Sequence, residues 1–93
     1  MRVFNSDDVL RRSTDLIATE LDHETVLMSI TAGVYYGLEG PARTIWEKLD
    51  SPMTFGQLVD TLTREYRVSR ETCSSDLQGF LAQMESEELV HVD

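Results

Sequence analysis

The stretch GVYYGLEGPARTIW, residues 33–46, contains the change in periodicity that decides the fold. Its first part, VYYGL, is rich in β-branched and aromatic residues and alternates with period two, as in a strand with one buried face. After a Gly-Pro break, the apolar residues recur at spacings of three and four, as on one face of a helix. Pro41 suits the first turn of this helix, because the N–H that proline lacks has no partner there. The stretch therefore predicts a strand that passes directly into a helix.

The alternation in VYYGL sorts its side chains onto two faces of the predicted strand. Val34, Tyr36 and Leu38 share one face, and Tyr35 and Gly37 share the other. If Tyr36 faces the core, Tyr35 faces outward. An outward tyrosine either reflects strand propensity alone or belongs to a contact surface.

Two further strands are predicted before this one. DLIATEL, residues 15–21, and TVLMSI, residues 25–30, are separated by the turn-prone trio DHE, and Gly33 offers a second tight turn. Short strands with short polar connections indicate an antiparallel meander. Residues 1–14 are polar and mixed in charge, and we expect them to form a loose N-terminal arm that packs two small apolar pairs.

Two more helices are predicted after the first. Thr54 with Gln57 three residues later is a capping-box signature, and Ser69 is a candidate N-cap for the last helix. Strands and helices that are segregated along the chain indicate an α+β fold, here a three-stranded antiparallel sheet followed by three helices, winged-helix-like, in one domain over residues 15–93. The two helices carry the apolar stripes Phe55, Leu58, Val59, Leu62 and Tyr66, and Cys73, Leu77, Phe80, Leu81 and Met84.

The charge and composition exclude several classes of protein. The 93 residues include 17 acidic and 8 basic ones, for a net charge of −9. Without a basic stripe, the chain has nothing to neutralise a phosphate backbone, so we expect no nucleic-acid partner. The single cysteine fits a reducing compartment, and no run of residues resembles a signal peptide or a membrane span. The sequence therefore predicts a cytoplasmic protein without a membrane partner.

The sequence contains no combination of residues that predicts catalysis or metal binding. His23 and His91 lie far apart, Cys73 falls on an apolar stripe, and the glycines do not form a phosphate-binding loop. Trp46 recurs with Ile45 at helical spacing and is predicted to lie in the core. We therefore expect no catalytic residues, no metal and no cofactor, and we predict that the protein is not an enzyme.

From residue 15 to residue 90 the sequence resembles PqqD-like domains, the recognition elements for the precursors of ribosomally synthesised and post-translationally modified peptides (RiPPs). The resemblance is carried by Gly-x-Tyr-Tyr-x-Leu followed by Ile-Trp, by the helix TFGQLVDTL after a proline break, and by the helix DLQGFLAQM. Among these domains, the short chain is most similar to the standalone leader-binding proteins of lasso-peptide biosynthesis. Many relatives carry Asn directly after the strand, whereas this chain has Glu39.

The resemblance implies a non-catalytic adaptor that captures the leader of a precursor peptide. In this family the third strand is an edge, and the leader adds to it as a further strand beside the third helix. Gly37 is then expected to leave room for a neighbouring backbone, and Asp76 to pair with a Lys or Arg of the leader. The peptide-binding residues that the resemblance implies are Val34, Tyr35, Tyr36, Gly37 and Leu38 on the strand and Asp76, Gly79, Phe80, Gln83 and Met84 on the last helix. The sequence does not fix which of the helix residues face the groove, and a shift of one turn would exchange Phe80 and Met84 for Cys73, Leu77 and Leu81.

The family also implies partners for such an adaptor. In the lasso-peptide systems these are a leader-cleaving cysteine protease and an ATP-dependent cyclase, which receive the captured precursor. One alternative is a peptide chaperone of the pyrroloquinoline-quinone (PQQ) type, which serves a radical S-adenosylmethionine enzyme. Another is a winged-helix DNA-binding regulator, although the acidic last helix argues against it.

Overall fold

The computed structural model describes residues 2–93, which form two small antiparallel sheets and three helices. This arrangement confirms the predicted α+β fold class. In chain order the elements are β1 (Val9–Arg12), β2 (Leu16–Glu20), β3 (Thr25–Ser29), β4 (Val34–Leu38), α1 (Gly40–Lys48), β5 (Met53–Thr54), α2 (Phe55–Tyr66), α3 (Arg70–Ser86) and β6 (Val90–Val92).

The strands β2, β3 and β4 form the predicted antiparallel meander, with β3 in the centre. Tyr36 pairs with Leu27, which is fully buried, whereas Tyr35 pairs with Met28 on the opposite face. The turn between β3 and β4 uses Gly33 at a φ of 69°, a left-handed conformation that favours glycine. The N–H of Gly33 donates to the carbonyl of Ser29 at 2.9 Å, which closes this turn.

A second sheet, with the order β5-β1-β6, was not predicted from the sequence. Its central strand β1 lies within the predicted N-terminal arm, and Leu10 of this strand is fully buried. Phe4 is also buried, and its ring stacks on that of Phe55 with the centroids 6.1 Å apart. Residues 4–12 therefore contribute to the same core as the rest of the chain. Strands of two to four residues are too short to show a period of their own.

The predicted helix caps of α2 and α3 are present. Thr54 Oγ1 accepts a hydrogen bond from the N–H of Gln57, and Gln57 Oε1 accepts one from the N–H of Thr54, which completes the capping box. Ser69 Oγ accepts from the N–H of Thr72 at the start of α3. At the N-cap of α1, Glu39 has an extended backbone and makes no side-chain cap hydrogen bond within the described chain.

The core joins both sheets to all three helices. Trp46 is buried as predicted, and the guanidinium of Arg12 lies 4.4 Å from its ring centroid while donating two hydrogen bonds to its carbonyl oxygen. This contact fixes the end of α1 against β1. The tail of the chain is also part of the core, because Leu89 and Val90 are buried where β6 pairs with β1. None of the helices described over residues 2–93 is long and apolar enough to cross a bilayer.

Candidate functional site

The strand β4 is an edge of its sheet. Within residues 2–93 it pairs with β3 alone, so the opposite side of the strand is free. On an antiparallel strand, alternate residues direct their N–H and C=O groups to that side. These groups can pair with another extended segment, and for this reason exposed edges tend to be either covered or used. We call the free side of residues 34–38 the β4 edge.

Side chains hold β4 to the core by one face only. Leu38 is buried and Tyr36 is half-buried against the core, whereas Tyr35 on the other face is 71% exposed. This orientation of the two tyrosines is the predicted one. Val34 lies at the exposed start of the strand. The strand is therefore fixed by its inner face and presents its edge and its outer face to solvent.

An apolar cleft of about 230 Å³ opens just beyond the end of β4, between the three helices. Pro41, three residues after Leu38, forms part of its wall. Exposed side chains of Tyr66 and Val68 lie at its rim, and the hydroxyl of Tyr66 is 2.7 Å from Thr44 Oγ1. The cleft is lined by Pro41, Ile45, Leu62, Tyr66, Val68, Cys73, Asp76, Leu77 and Phe80.

Four of the five residues predicted on α3 lie together on its solvent side. Asp76, Gly79, Phe80 and Gln83, with Ser75, line one shallow depression, which we call the α3 shelf. A Cβ added to Gly79 would meet no atom within 4 Å outside the helix backbone, so the space above the shelf is open. Phe80 is 38% exposed and also lines the apolar cleft. The shelf and the cleft therefore form a continuous surface.

Met84, the fifth residue predicted on α3, does not lie on this surface. It is 3% exposed and packs in the core with Leu77 and Leu81. Seven residues make almost two complete helical turns, so Met84 shares the face of Leu77, whereas Phe80 is rotated from that face by about 60°. Because its side chain points into the core, we exclude Met84 from the candidate site.

The apolar cleft contains one carboxylate and one thiol. Of the described residues that line it, Asp76 alone is charged, and its side chain reaches the rim shared with the α3 shelf. Burial raises the pKa of the Cys73 thiol, and the nearby Asp76 carboxylate raises it further. Such a thiol is a small apolar core residue, as predicted, and is poorly suited to act as a nucleophile.

The position of Glu24 in the fold was not predicted from the sequence. Its carboxylate fills the space over Gly37 on the outer face of the sheet, 2.7 Å from where a Cβ of residue 37 would lie. We expected that space to serve a neighbouring backbone. Glu24 precedes β3 and Gly37 belongs to β4, so only the register of the two strands brings them together. Among residues 2–93, no group of three or more His, Cys, Asp or Glu side chains is arranged to hold a metal ion.

Comparisons with solved structures give close matches over most of the chain. TbiB1 in complex with the TbiA(beta) leader peptide is 31% identical, with a TM-score of 0.80, and the match covers 87% of this chain and 94% of that one. Lasso peptide synthetase B1 complexed with the leader peptide is 22% identical, with a TM-score of 0.75, over 88% of this chain and 96% of that one.

A third solved structure is the PqqD part of PqqCD from Methylobacterium extorquens, a stand-alone RiPP recognition element. It is 18% identical, with a TM-score of 0.75, over 96% of this chain and 95% of that one. The comparison with curated protein sequences gives no match. The family model described as Coenzyme PQQ synthesis protein D (PqqD) matches residues 24–90, and the chain therefore belongs to the PqqD family.

Proposed function

We propose that this protein is a leader-peptide-binding adaptor of RiPP biosynthesis, and specifically of lasso-peptide biosynthesis. The observation that carries the proposal is the free β4 edge, which ends at the apolar cleft. Support also comes from TbiB1, which was solved with a leader peptide and is 31% identical to this chain over most of both chains. In this proposal the leader adds to β4 as a further strand of the sheet β2-β3-β4.

Strand addition divides recognition between backbone and side chains. Hydrogen bonds to the free N–H and C=O groups of β4 align the leader and contribute affinity that does not depend on its sequence. Sequence selection comes from alternate leader side chains, which contact the apolar cleft and the α3 shelf on one face and Tyr35 on the other. Asp76, at the rim of the cleft, would attract a Lys or Arg of the leader. Ordering the leader costs about 2–5 kcal/mol, so the expected affinity is nanomolar to micromolar.

The adaptor itself performs no chemistry in this proposal. It holds the leader while the core segment of the precursor reaches a separate leader-cleaving cysteine protease and an ATP-dependent cyclase. Tethering replaces an encounter in solution by an intramolecular one and so raises the effective concentration of the precursor at each enzyme. A role in lasso-peptide biosynthesis is favoured over a role in PQQ synthesis, because identity to lasso peptide synthetase B1 is 22%, whereas identity to the Methylobacterium extorquens PqqD is 18%. TbiB1, which is 31% identical, was also solved with a leader peptide.

Calorimetric titration with a synthetic leader tests the proposal. The leader is sought among the short open reading frames next to the gene for this protein, and the TbiA(beta) leader serves as a related probe. We expect saturable binding, with one leader per chain. Failure of the neighbouring leader to bind would exclude the proposed function.

Hydrogen exchange locates the docking edge in the same complex. The strands β2 and β4 are both edges of the sheet, so β2 provides an internal control. We expect the leader to protect amides of residues 34–38 and to leave those of residues 16–20 unchanged. Protection of β2 alone would place the leader on the wrong side of the sheet for this proposal.

A further inference from the structure

The carboxylate of Glu24 lies on the outer face of the sheet, beside the edge strand. Outer-face positions of β4 are Tyr35 and Gly37, and only Gly37 has no side chain there. The Glu24 carboxylate occupies that gap, with Oε2 2.7 Å and Cδ 3.2 Å from the position of a Cβ at residue 37. The negative charge of Glu24, a residue of the turn before β3, therefore lies over β4, the strand that carries the free edge.

This carboxylate has no protein partner in the part of the chain that the structure describes. None of the ion pairs between residues 2 and 93 involves Glu24, and its side chain accepts none of the side-chain hydrogen bonds found there. Glu24 is half-buried, and its neighbours on the outer face include the apolar residues Val26 and Tyr35. A carboxylate held in such surroundings is less screened by water than a fully exposed one, so an opposite charge nearby is attracted more strongly.

We propose that Glu24 makes the peptide site selective for a basic residue at one position, the position opposite Gly37 on the added strand. This inference rests on the proposed function, because it requires a strand on the β4 edge. Directly opposed residues of paired strands have their Cβ positions about 4.5–5.5 Å apart. A Lys or Arg at that position can therefore reach the carboxylate above Gly37, while its aliphatic stem lies along the outer face beside Tyr35.

The basic peptide residue that Glu24 selects is a different residue from the Lys or Arg that we expect to pair with Asp76. Glu24 lies on the outer face of the sheet, whereas Asp76 lies on α3, at the cleft bordered by core residues. Successive residues of a strand point to opposite faces. The two carboxylates therefore contact side chains on opposite faces of the same peptide, so each can be removed without changing the preference set by the other.

Two variants separate the charge of Glu24 from its position. Glu24→Gln removes the charge. Gly37→Ala adds a methyl group that would overlap with the carboxylate and must displace it, since Glu24 is the flexible partner. Gly37 is not among the residues with positive φ, so alanine is compatible with its backbone. Asp76→Asn is the matched control, because it removes a carboxylate from the other face.

Selection from a displayed library of random linear peptides tests the inference with a defined probe. For the wild type, we expect enriched peptides to share Lys or Arg at one fixed position, and their binding to protect the amides of residues 34–38. For the best such peptide, Glu24→Gln and Gly37→Ala should each weaken binding about two- to fivefold, as for a partly exposed ion pair. Glu24→Lys should weaken it about tenfold or more and select Asp or Glu at that position.

The outcomes distinguish the inference from the proposed function. If enriched peptides protect β4 but show no basic preference, or keep it in Glu24→Gln, the inference is wrong and the proposed function stands. If the preference disappears in Asp76→Asn instead, the selecting carboxylate is Asp76 and the inference is also wrong. If no enriched peptide protects β4, the proposed function fails, and the inference fails with it.

Discussion

The side-chain amide of Gln78 forms two hydrogen bonds with the backbone of Phe4. The N–H of Phe4 donates to Gln78 Oε1, and Gln78 Nε2 donates to the carbonyl oxygen of Phe4, both at 2.8 Å. The amide thus satisfies the same two groups that a neighbouring strand would satisfy. It ties the N-terminal segment to α3, while the ring of Phe4 stacks on Phe55 of α2.

Gln78→Ala should therefore destabilise the protein. It leaves two partly buried backbone groups of Phe4 without their partner, and we expect the free energy of unfolding to fall by about 1–3 kcal/mol. Urea denaturation followed by circular dichroism measures this loss. Gln83→Ala is the matched control, since the exposed side chain of Gln83 donates only to Glu87, the C-cap residue of α3, and it should cost less than about 0.5 kcal/mol. Equal losses in the two variants would mean that the Phe4 contact does not stabilise the fold.

Exposed apolar residues at opposite edges of one sheet provide a test of the docking edge. Ile17 of β2, Met28 of β3 and Tyr35 of β4 form a row across the outer face, and Ile17 and Tyr35 are 48% and 71% exposed. Tyr35→Ala should weaken leader binding by about three- to thirtyfold, as expected when a side chain at the edge of an interface is truncated. Ile17→Ala should leave it unchanged.

Both variants should remain folded, because each side chain is on the surface, and circular dichroism checks this. The measurement is calorimetric titration of each variant with the same leader. If Ile17→Ala loses affinity and Tyr35→Ala does not, the leader docks on β2, and the proposal for the β4 edge is wrong.

Gly79→Ala should raise stability and lower leader affinity. Gly79 lies within α3, where glycine is about 1 kcal/mol less favourable than alanine. Because the space around a Cβ at this position is empty, the methyl group should fit the free protein without strain. A leader that lies on the α3 shelf would meet this methyl group. Thermal melting of Gly79→Ala measures its stability, and calorimetric titration of the same variant with the leader measures its affinity. An unchanged affinity would place the leader away from the α3 shelf.

The longer elements of the fold could be predicted from their periodicity. In β4, alternation from Val34 to Leu38 placed Tyr35 outward and Tyr36 inward. In α3, the spacing predicted an apolar stripe that contains the buried Leu77 and Leu81, but it did not separate the core side of the helix from the groove side. These patterns work because each element buries one face against a single core, so burial repeats with the period of the backbone. The caps at Thr54 could be predicted for a similar reason, since a capping box depends only on residues three apart.

The second sheet and part of the candidate site could not be predicted in this way. The strand β1 is defined by its pairing with Met53 and with Val92, which are distant in sequence and give no local signal. The contact between Glu24 and Gly37 depends on strand register, and the apolar cleft depends on how three helices pack. Met84 was placed along the groove as well as in the apolar stripe of the last helix, and the structure assigns it to the core, because it follows Leu77 by almost two complete turns and shares its buried face.

Acid should destabilise the protein partly through Glu20. A hydrogen bond from Thr25 lowers the pKa of this carboxyl below its usual range, and Arg43 adds to the effect. A carboxyl with a lower pKa in the folded state contributes stability above its unfolded pKa and loses it as the pH falls through the folded value. The contribution should therefore be present above about pH 4.3 and disappear below it.

Glu20→Gln tests the assignment, because glutamine keeps the shape and removes the titration. Stability from urea denaturation at a series of pH values should fall less steeply below about pH 4.3 in this variant than in the wild type. Glu65→Gln is the control. Glu65 pairs with Lys48 at the surface and, unlike Glu20, accepts no hydrogen bond from a buried hydroxyl in the described chain. Parallel curves for the wild type and Glu20→Gln would show that another carboxyl causes the acid sensitivity.

Alkylation of Cys73 should report whether the leader covers the apolar cleft. The thiol is buried, and burial raises its pKa, so the reactive thiolate is scarce near neutral pH and iodoacetamide should react slowly with the folded protein. Because Cys73 lines the cleft, a leader that fills it should slow the reaction further. Mass spectrometry after timed exposure to the reagent, with and without saturating leader, measures the two rates. Unfolding in urea should restore the rate of an ordinary cysteine in both samples. If saturating leader leaves the rate in the folded protein unchanged, the bound peptide does not occupy the cleft, and side-chain selection must take place on the α3 shelf and along the β4 edge.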